Sequence, residues 1–128
     1  MRRMPTEAER IQLAQVNIAR AIHPLDDPRL SDFVAQLDRV NAAADRAPGF
    51  VWRLKSDDGG ASSYVRAFDD PQVLINISVW KTLQDLRQFV YRNEMHGSVF
   101  RDRRRWFEPL SREPMALWWI LYRSPVCR

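Results

Sequence analysis

The sequence predicts an α+β domain in which an antiparallel sheet carries its helices on one face. Three observations predict it. The stretch Val73-Leu-Ile-Asn-Ile-Ser-Val-Trp80 is a strand rich in β-branched residues. Two segments with apolar residues at helical spacing, Leu30 to Ala44 and Leu83 to Val90, lie between strand-like runs. The elements then follow the order β-α-β-β-α-(α)-β, which is the ferredoxin-like split β-α-β arrangement. A chain of 128 residues fits one domain with a real core. The expected layout is a flexible N-terminus at 1–10, one domain over 11–122 and a short tail at 123–128.

Taken in order, Ile11 to Ile18 alternates as a strand, with Ala14, Val16 and Ile18 opposite Ile11, Leu13, Gln15 and Asn17. His23 to Pro28 is a loop, and Asp27 followed by Pro28 suits a helix start. Leu30, Phe33, Leu37, Val40 and Ala44 extend that helix to about Arg46, and Pro48-Gly49 stops it. Phe50 to Leu54 is a second strand, Ser56 to Ser63 a polar connection, and Tyr64 to Phe68 a short extended piece. The central strand, 73–80, is predicted to pack Val73, Ile75, Ile77 and Val79 as core and to line a pocket with Leu74, Asn76, Ser78 and Trp80. Thr82 caps a helix whose buried stripe is Leu83, Leu86, Phe89 and Val90. A bend at Asn93 to Gly97 precedes a third helical stretch with Val99, Phe100, Arg103, Trp106 and Phe107 on one side. Met115 to Tyr122 is the last strand.

The strands are apolar on both faces, which a lone two-layer sandwich does not need. The expected cover for the second face is the same face of another subunit, giving a two-fold homodimer whose sheets form a barrel.

Composition narrows the function classes. Of the 20 basic residues only Lys55 and Lys81 are lysines, and the net charge is +4. The cluster Arg101-Asp-Arg-Arg-Arg105 raises nucleic-acid binding, but Asp102 breaks it and it lies within an amphipathic pattern. A solvated helix face is the expectation, with no nucleic-acid partner. No apolar run approaches the ~20 residues of a membrane helix, and no apolar leader opens the chain, so a cytoplasmic protein is expected. Cys127 is the single cysteine, and His23 and His96 lack a third ligand at metal spacing, so no metal site is expected. One histidine is weak ground for a haem ligand, so no cofactor is expected either. No serine elbow or phosphate-cradling glycine loop is present.

Several blocks together carry a resemblance. They are Leu-Ala-Gln-Val-Asn-Ile (13–18), Pro-Leu-Asp-Asp-Pro (24–28), Pro-Gly-Phe-Val-Trp-Arg-Leu (48–54), Asn-Ile-Ser-Val-Trp (76–80), Phe-Val-Tyr-Arg (89–92), His96, Arg-Arg-Arg-Trp-Phe (103–107) and Leu-Trp-Trp (117–119). Over residues 11 to 120 the chain resembles a bacterial family of unknown function in the dimeric α+β barrel superfamily, near the antibiotic-biosynthesis monooxygenases. The family has no settled activity, while the superfamily includes cofactor-free oxygenases, haem-degrading enzymes, dismutases and stress-related binding proteins. The oxygenases carry an Asn and a Trp four residues apart on a pocket-lining strand, and Asn76 and Trp80 resemble that pair. One departure is visible: the family continues past Leu-Trp-Trp with a helical, proline-containing segment, whereas this chain ends Ile-Leu-Tyr-Arg-Ser-Pro-Val-Cys-Arg.

The candidate site follows. Asn76 would orient a substrate carbonyl or hold an enolate oxygen, or else be an amide satisfied by its neighbours. Trp80 would stack on a flat ligand or anchor the core. His96 is the candidate general base, or a histidine bridging a helix end. Asn17 could face the same pocket or the dimer interface. Arg53 and Arg103 could pair with an anionic substrate or with a carboxylate such as Glu94 or Glu108, and Trp106 is placed with them as a lining residue. Two function classes result. One is a cofactor-independent monooxygenase-like enzyme acting on a small aromatic or polyketide-like molecule. The other is a non-catalytic ligand-binding or structural dimer.

Overall fold

A computed structural model describes residues 11–56, 66, 68–109 and 115–121. Strand β1 spans Ile11–Arg20 and leads through a 3₁₀ turn, Pro28–Leu30, into helix α1, Ser31–Asp45. Asp27 accepts a hydrogen bond from the Arg29 backbone N–H, so the cap expected before Pro28 forms there. Strand β2 is Phe50–Arg53, and Gly49 before it takes a positive φ of 79°. A Cβ at Gly49 would run into Asp85, so the close approach of this turn to the next helix also requires glycine. Strand β3 is Val73–Trp80. Helix α2, Leu83–Arg92, starts where the Thr82 hydroxyl accepts from the Asp85 N–H. Helix α3 covers Glu94–Arg101, a 3₁₀ turn covers Arg103–Arg105, and strand β4 covers Met115–Leu121.

The four strands form one antiparallel sheet in the order β2-β3-β1-β4. The helices cover one face, as the ferredoxin-like arrangement predicts. Two apolar clusters sit under them. Leu13, Ala44, Trp80, Leu86 and Phe89 form one, and Ala21, Leu30, Phe33, Leu74 and Trp106 form the other. Aromatic contacts lock each cluster: Phe50, edge-on, and Phe89 lie 5.5 and 5.3 Å from Trp80, and Phe33 lies 5.5 Å from Trp106.

The facing of β3 corrects the sequence reading. Leu74, Asn76, Ser78 and Trp80 point under the helices, and three of the four are buried. The β-branched face lies on the side without helices, where Val73, Ile75 and Ile77 are only half-buried and Val79 alone is buried. The cause is register: Trp80 pairs with Leu13 and Leu74 with Ala19, so these positions share the helix-covered face. The helix-free face is strongly apolar. One row across it reads Trp52, Val79, Ala14, Trp118, with both tryptophans more than 40% exposed.

Other expectations shift by smaller amounts. Leu83 is exposed at the helix start instead of joining the buried stripe. The bend is confined to Asn93, so His96 lies in the first turn of α3. Arg101, Arg103, Arg104 and Arg105 are exposed, as a solvated face requires, and Arg105 pairs with Asp32 at 2.8 Å. The connection over 57–65, Tyr64 included, lies outside the described residues, as do the chain ends. Among the described residues no helix is long and apolar enough to cross a membrane.

Candidate functional site

Between the two apolar clusters the helix-covered face of the sheet is polar. Pairing places Gln15 beside Ser78 and Asn17 beside Asn76. The Gln15 amide donates to Asn76 Oδ1 and to Ser78 Oγ, each at 2.7 Å. The Trp80 indole N–H donates to the same Ser78 oxygen at 2.9 Å. Asn76, Gln15, Ser78 and Trp80 are thus one connected row. Gln15 and Ser78 are buried, whereas Asn17 and Asn76 are half-buried. Burying an amide and a hydroxyl is tolerated here because the row pairs within itself.

The row ends differently on its two sides. Toward β4, Gln15 pairs with Leu117 and Asn17 with Met115, and both apolar side chains are about half exposed at 47% and 48%. They form an apolar lip beside the half-buried asparagines. Toward β2, Arg53 pairs with Ser78. Its guanidinium reaches Asp45 at the end of α1, with Nε at 2.8 Å and Nη2 at 3.3 Å. Of the carboxylates the sequence reading offered it, Glu108 pairs with Arg20 at 2.6 Å, and the Glu94 side chain lies outside what the structure describes.

His96 stands beside the Trp80 cluster, against Phe89. Its ring lies 5.4 Å from Phe89, edge-on, and Phe89 in turn packs on Trp80. His96 Nδ1 is 3.0 Å from the Val90 carbonyl. A carbonyl only accepts, so Nδ1 carries the hydrogen and Nε2 keeps its lone pair. Burial pushes the His96 pKa below its ordinary value, against the raising effect of the Val90 carbonyl. A neutral imidazole with a fixed tautomer is suited to accept a proton.

The same shift sets a stability window. In the unfolded chain His96 gains its proton near pH 6.5, before the folded state does. The folded protein is therefore expected to lose stability as pH falls from about 6.5 toward the folded-state value. Asp27 and Asp70, held below the usual carboxylate range by Arg29 and by the Gln72 N–H with Arg20 respectively, titrate at lower pH. Melting curves at pH 7.5 and pH 5 should show a drop that is smaller in His96→Gln; an equal drop in both would rule this assignment out.

The remaining candidates separate. Trp80 is 1% exposed, so its faces belong to the core and its N–H to the row. Trp106 is fully buried in the second cluster, and its Nε1 has no hydrogen-bond partner among the described residues. Arg103 is exposed on a 3₁₀ turn, away from the row. Sequence reasoning placed Ser78 on the pocket-lining face but left out Gln15, the hub of the row. Strand alternation carried the signal for both, since Gln15 shares a face with Asn17 and Ser78 with Asn76. Two surface clefts also occur. One of about 390 Å³ lies between α1 and α2, lined by Ala43, Arg46, Ala47, Gln88, Phe89 and Arg92 among others. A smaller one of about 160 Å³ is lined by Gln36, Arg39, Val40 and Ser98. Among the described residues no group of three or more acidic, histidine or cysteine side chains could hold a metal ion.

Comparison with known proteins places the chain. The family model described as Domain of unknown function (DUF3291) matches residues 12–124. The chain belongs to this family. No curated protein matches the DUF3291 chain. Its fold is shared with solved structures at low identity. A cofactor-independent oxygenase from Streptomyces nogalater, SnoaB, is 17% identical with a TM-score of 0.55, over 91% of this chain and 98% of that one. A putative antibiotic biosynthesis monooxygenase from Nitrosomonas europaea is 16% identical with a TM-score of 0.56, over 91% and 94%. A conserved protein from Methanosarcina mazei Go1 is 10% identical with a TM-score of 0.57, over 91% and 97%. These likenesses establish the ferredoxin-like α+β barrel fold.

Proposed function

We propose that this DUF3291 protein is a cytoplasmic homodimer that binds a small aromatic or polyketide-like molecule over the polar row and acts on it as a cofactor-independent oxygenase. The observation that carries the reading is the connected row itself, a set of oriented hydrogen-bonding groups framed by two apolar clusters. Such a mixture of apolar walls and a few fixed polar groups is what small-molecule sites use. The similarity in fold to SnoaB, itself a cofactor-independent oxygenase, agrees with it.

In this reading each residue takes one role. Gln15 holds Asn76 Oδ1, which fixes the orientation of the amide that borders the substrate oxygen. Asn17 and the Met115–Leu117 lip border the entrance. Trp80 acts as the wall that orients Ser78. His96 Nε2 takes a proton from an acidic substrate carbon or hydroxyl. The resulting anion supplies the electrons to dioxygen; at an activated ring CH₂, one oxygen atom remains as a carbonyl and the other leaves as water. Arg103 and Trp106 have no part in this scheme.

Aerobic incubation with aromatic hydroquinones or anthrones, followed by dioxygen uptake, tests it. His96→Ala and Asn76→Ala should each slow uptake on the order of 100-fold, the usual scale for a general base or an oxyanion donor. Unchanged turnover would remove either residue from the mechanism. A second reading, a non-catalytic binder, is favoured by the near-complete internal pairing of the row. It would show binding without uptake.

A further inference from the structure

The two nitrogens of Arg53 that Asp45 grips are Nε and Nη2. The third, Nη1, is buried and has no hydrogen-bond partner among the described residues. The side chain as a whole is only one-tenth exposed, against 38% for Asp45. A buried guanidinium N–H left unpaired is costly, because its water is gone and nothing replaces it. Folding alone therefore gives no reason for this arrangement. The bidentate grip gives one: it holds the guanidinium in a single orientation with Nη1 turned away from the carboxylate.

Register says what lies beside it. Arg53 pairs with Ser78 on the helix-covered face, which places it at one end of the polar row, and Asn76 is the next residue on that face. From β2 to β1 is two strand spacings, about 10 Å. A two- or three-ring molecule spans that length.

We propose that Arg53 Nη1 is the anchoring donor for an anionic oxygen on the ligand, so that the site selects aromatic acids over their neutral counterparts. This rests on the functional reading above. The carboxylate seats against Nη1, and the ring body lies over Ser78 and Asn76 toward the Met115–Leu117 lip. The grip of Asp45 makes Arg53 a specificity determinant and leaves proton transfer to His96.

The test is anaerobic titration calorimetry with two probes sharing a ring system, 1,4-dihydroxy-2-naphthoate and 1,4-naphthalenediol. The wild-type protein should bind the acid about tenfold more tightly or better, the scale of one charge-assisted hydrogen bond. Arg53→Met should bring the two affinities within about twofold while leaving that for the diol in place. Arg53→Lys loses the fork that Asp45 holds, and should also cut the preference, by about threefold or more; it serves if the methionine variant does not fold. The double variant Arg46→Gln/Arg92→Gln, in the cleft between α1 and α2, should keep the full preference. Equal binding of both probes by the wild type, a preference that survives in both Arg53 variants, or one lost in the Arg46/Arg92 variant would overturn the proposal. If neither probe binds, the aromatic-ligand reading itself fails and the proposal falls with it.

Discussion

Replacing Trp80 with alanine is expected to cost about 3–5 kcal/mol of stability, the range for truncating a large buried aromatic. Trp80 is 1% exposed and touches both layers of the domain. Phe50 reaches it from the β2 end and Phe89 from α2, while Leu13 pairs with it across the sheet. Its removal leaves a hole bounded by three elements, which cannot all close inward together. It also takes away one of the two donors on Ser78 Oγ. Against a typical total stability of about 5–15 kcal/mol this is a large share, and the melting temperature should fall on the order of 10–20 °C. Thermal unfolding followed by circular dichroism checks it. A fall of only a degree or two would show that Trp80 is not the keystone of this cluster.

The second large effect concerns association. The helix-free face carries Ile18, Val16, Ile75, Ile77 and the row Trp52, Val79, Ala14, Trp118, with Gln12 as a polar exception. A contiguous apolar face of this kind marks an interaction site. A two-fold partner presents the identical face, so the row meets a copy of itself or of its neighbours. Sedimentation at micromolar concentration should give a dimer. The double variant Trp52→Glu/Trp118→Glu places like charges where they must be desolvated, and should raise the dissociation constant by about 100-fold or more. Tyr91→Glu, on the far side of the domain in α2 and 78% exposed, should leave the dimer intact. A monomeric wild-type protein, or a dimer indifferent to the double variant, would contradict this use of the face.

The fold was legible because its signals are local and repeated. The alternation of 73–80, the Thr82 cap and the Asp27-Pro28 start all read correctly, since each depends on neighbours in sequence. The facing of β3 was not legible. Alternation divides a strand into two sets but does not say which set meets the helices, and the β-branched set proved to be the one left without them. The site was half legible for the same reason. Asn76 and Asn17 stood out as amides in apolar strands, yet their hub, Gln15, acquires its meaning only through pairing with a strand 63 positions away. Arg53 stood out among apolar neighbours, but its carboxylate, Asp45, comes from a helix end that no spacing rule connects to β2. Tertiary packing, not residue type, decided each of these.

In the proposed function the ligand sits over the polar row of β1 and β3. The direct measurement is the side-chain amide and indole region of a ¹H–¹⁵N spectrum, recorded without oxygen while 1,4-dihydroxy-2-naphthoate is added. The Gln15 and Asn76 amides and the Trp80 indole should shift together and saturably. Shifts confined to Gln88 and the neighbouring α1–α2 cleft, with the row unmoved, would contradict the claim.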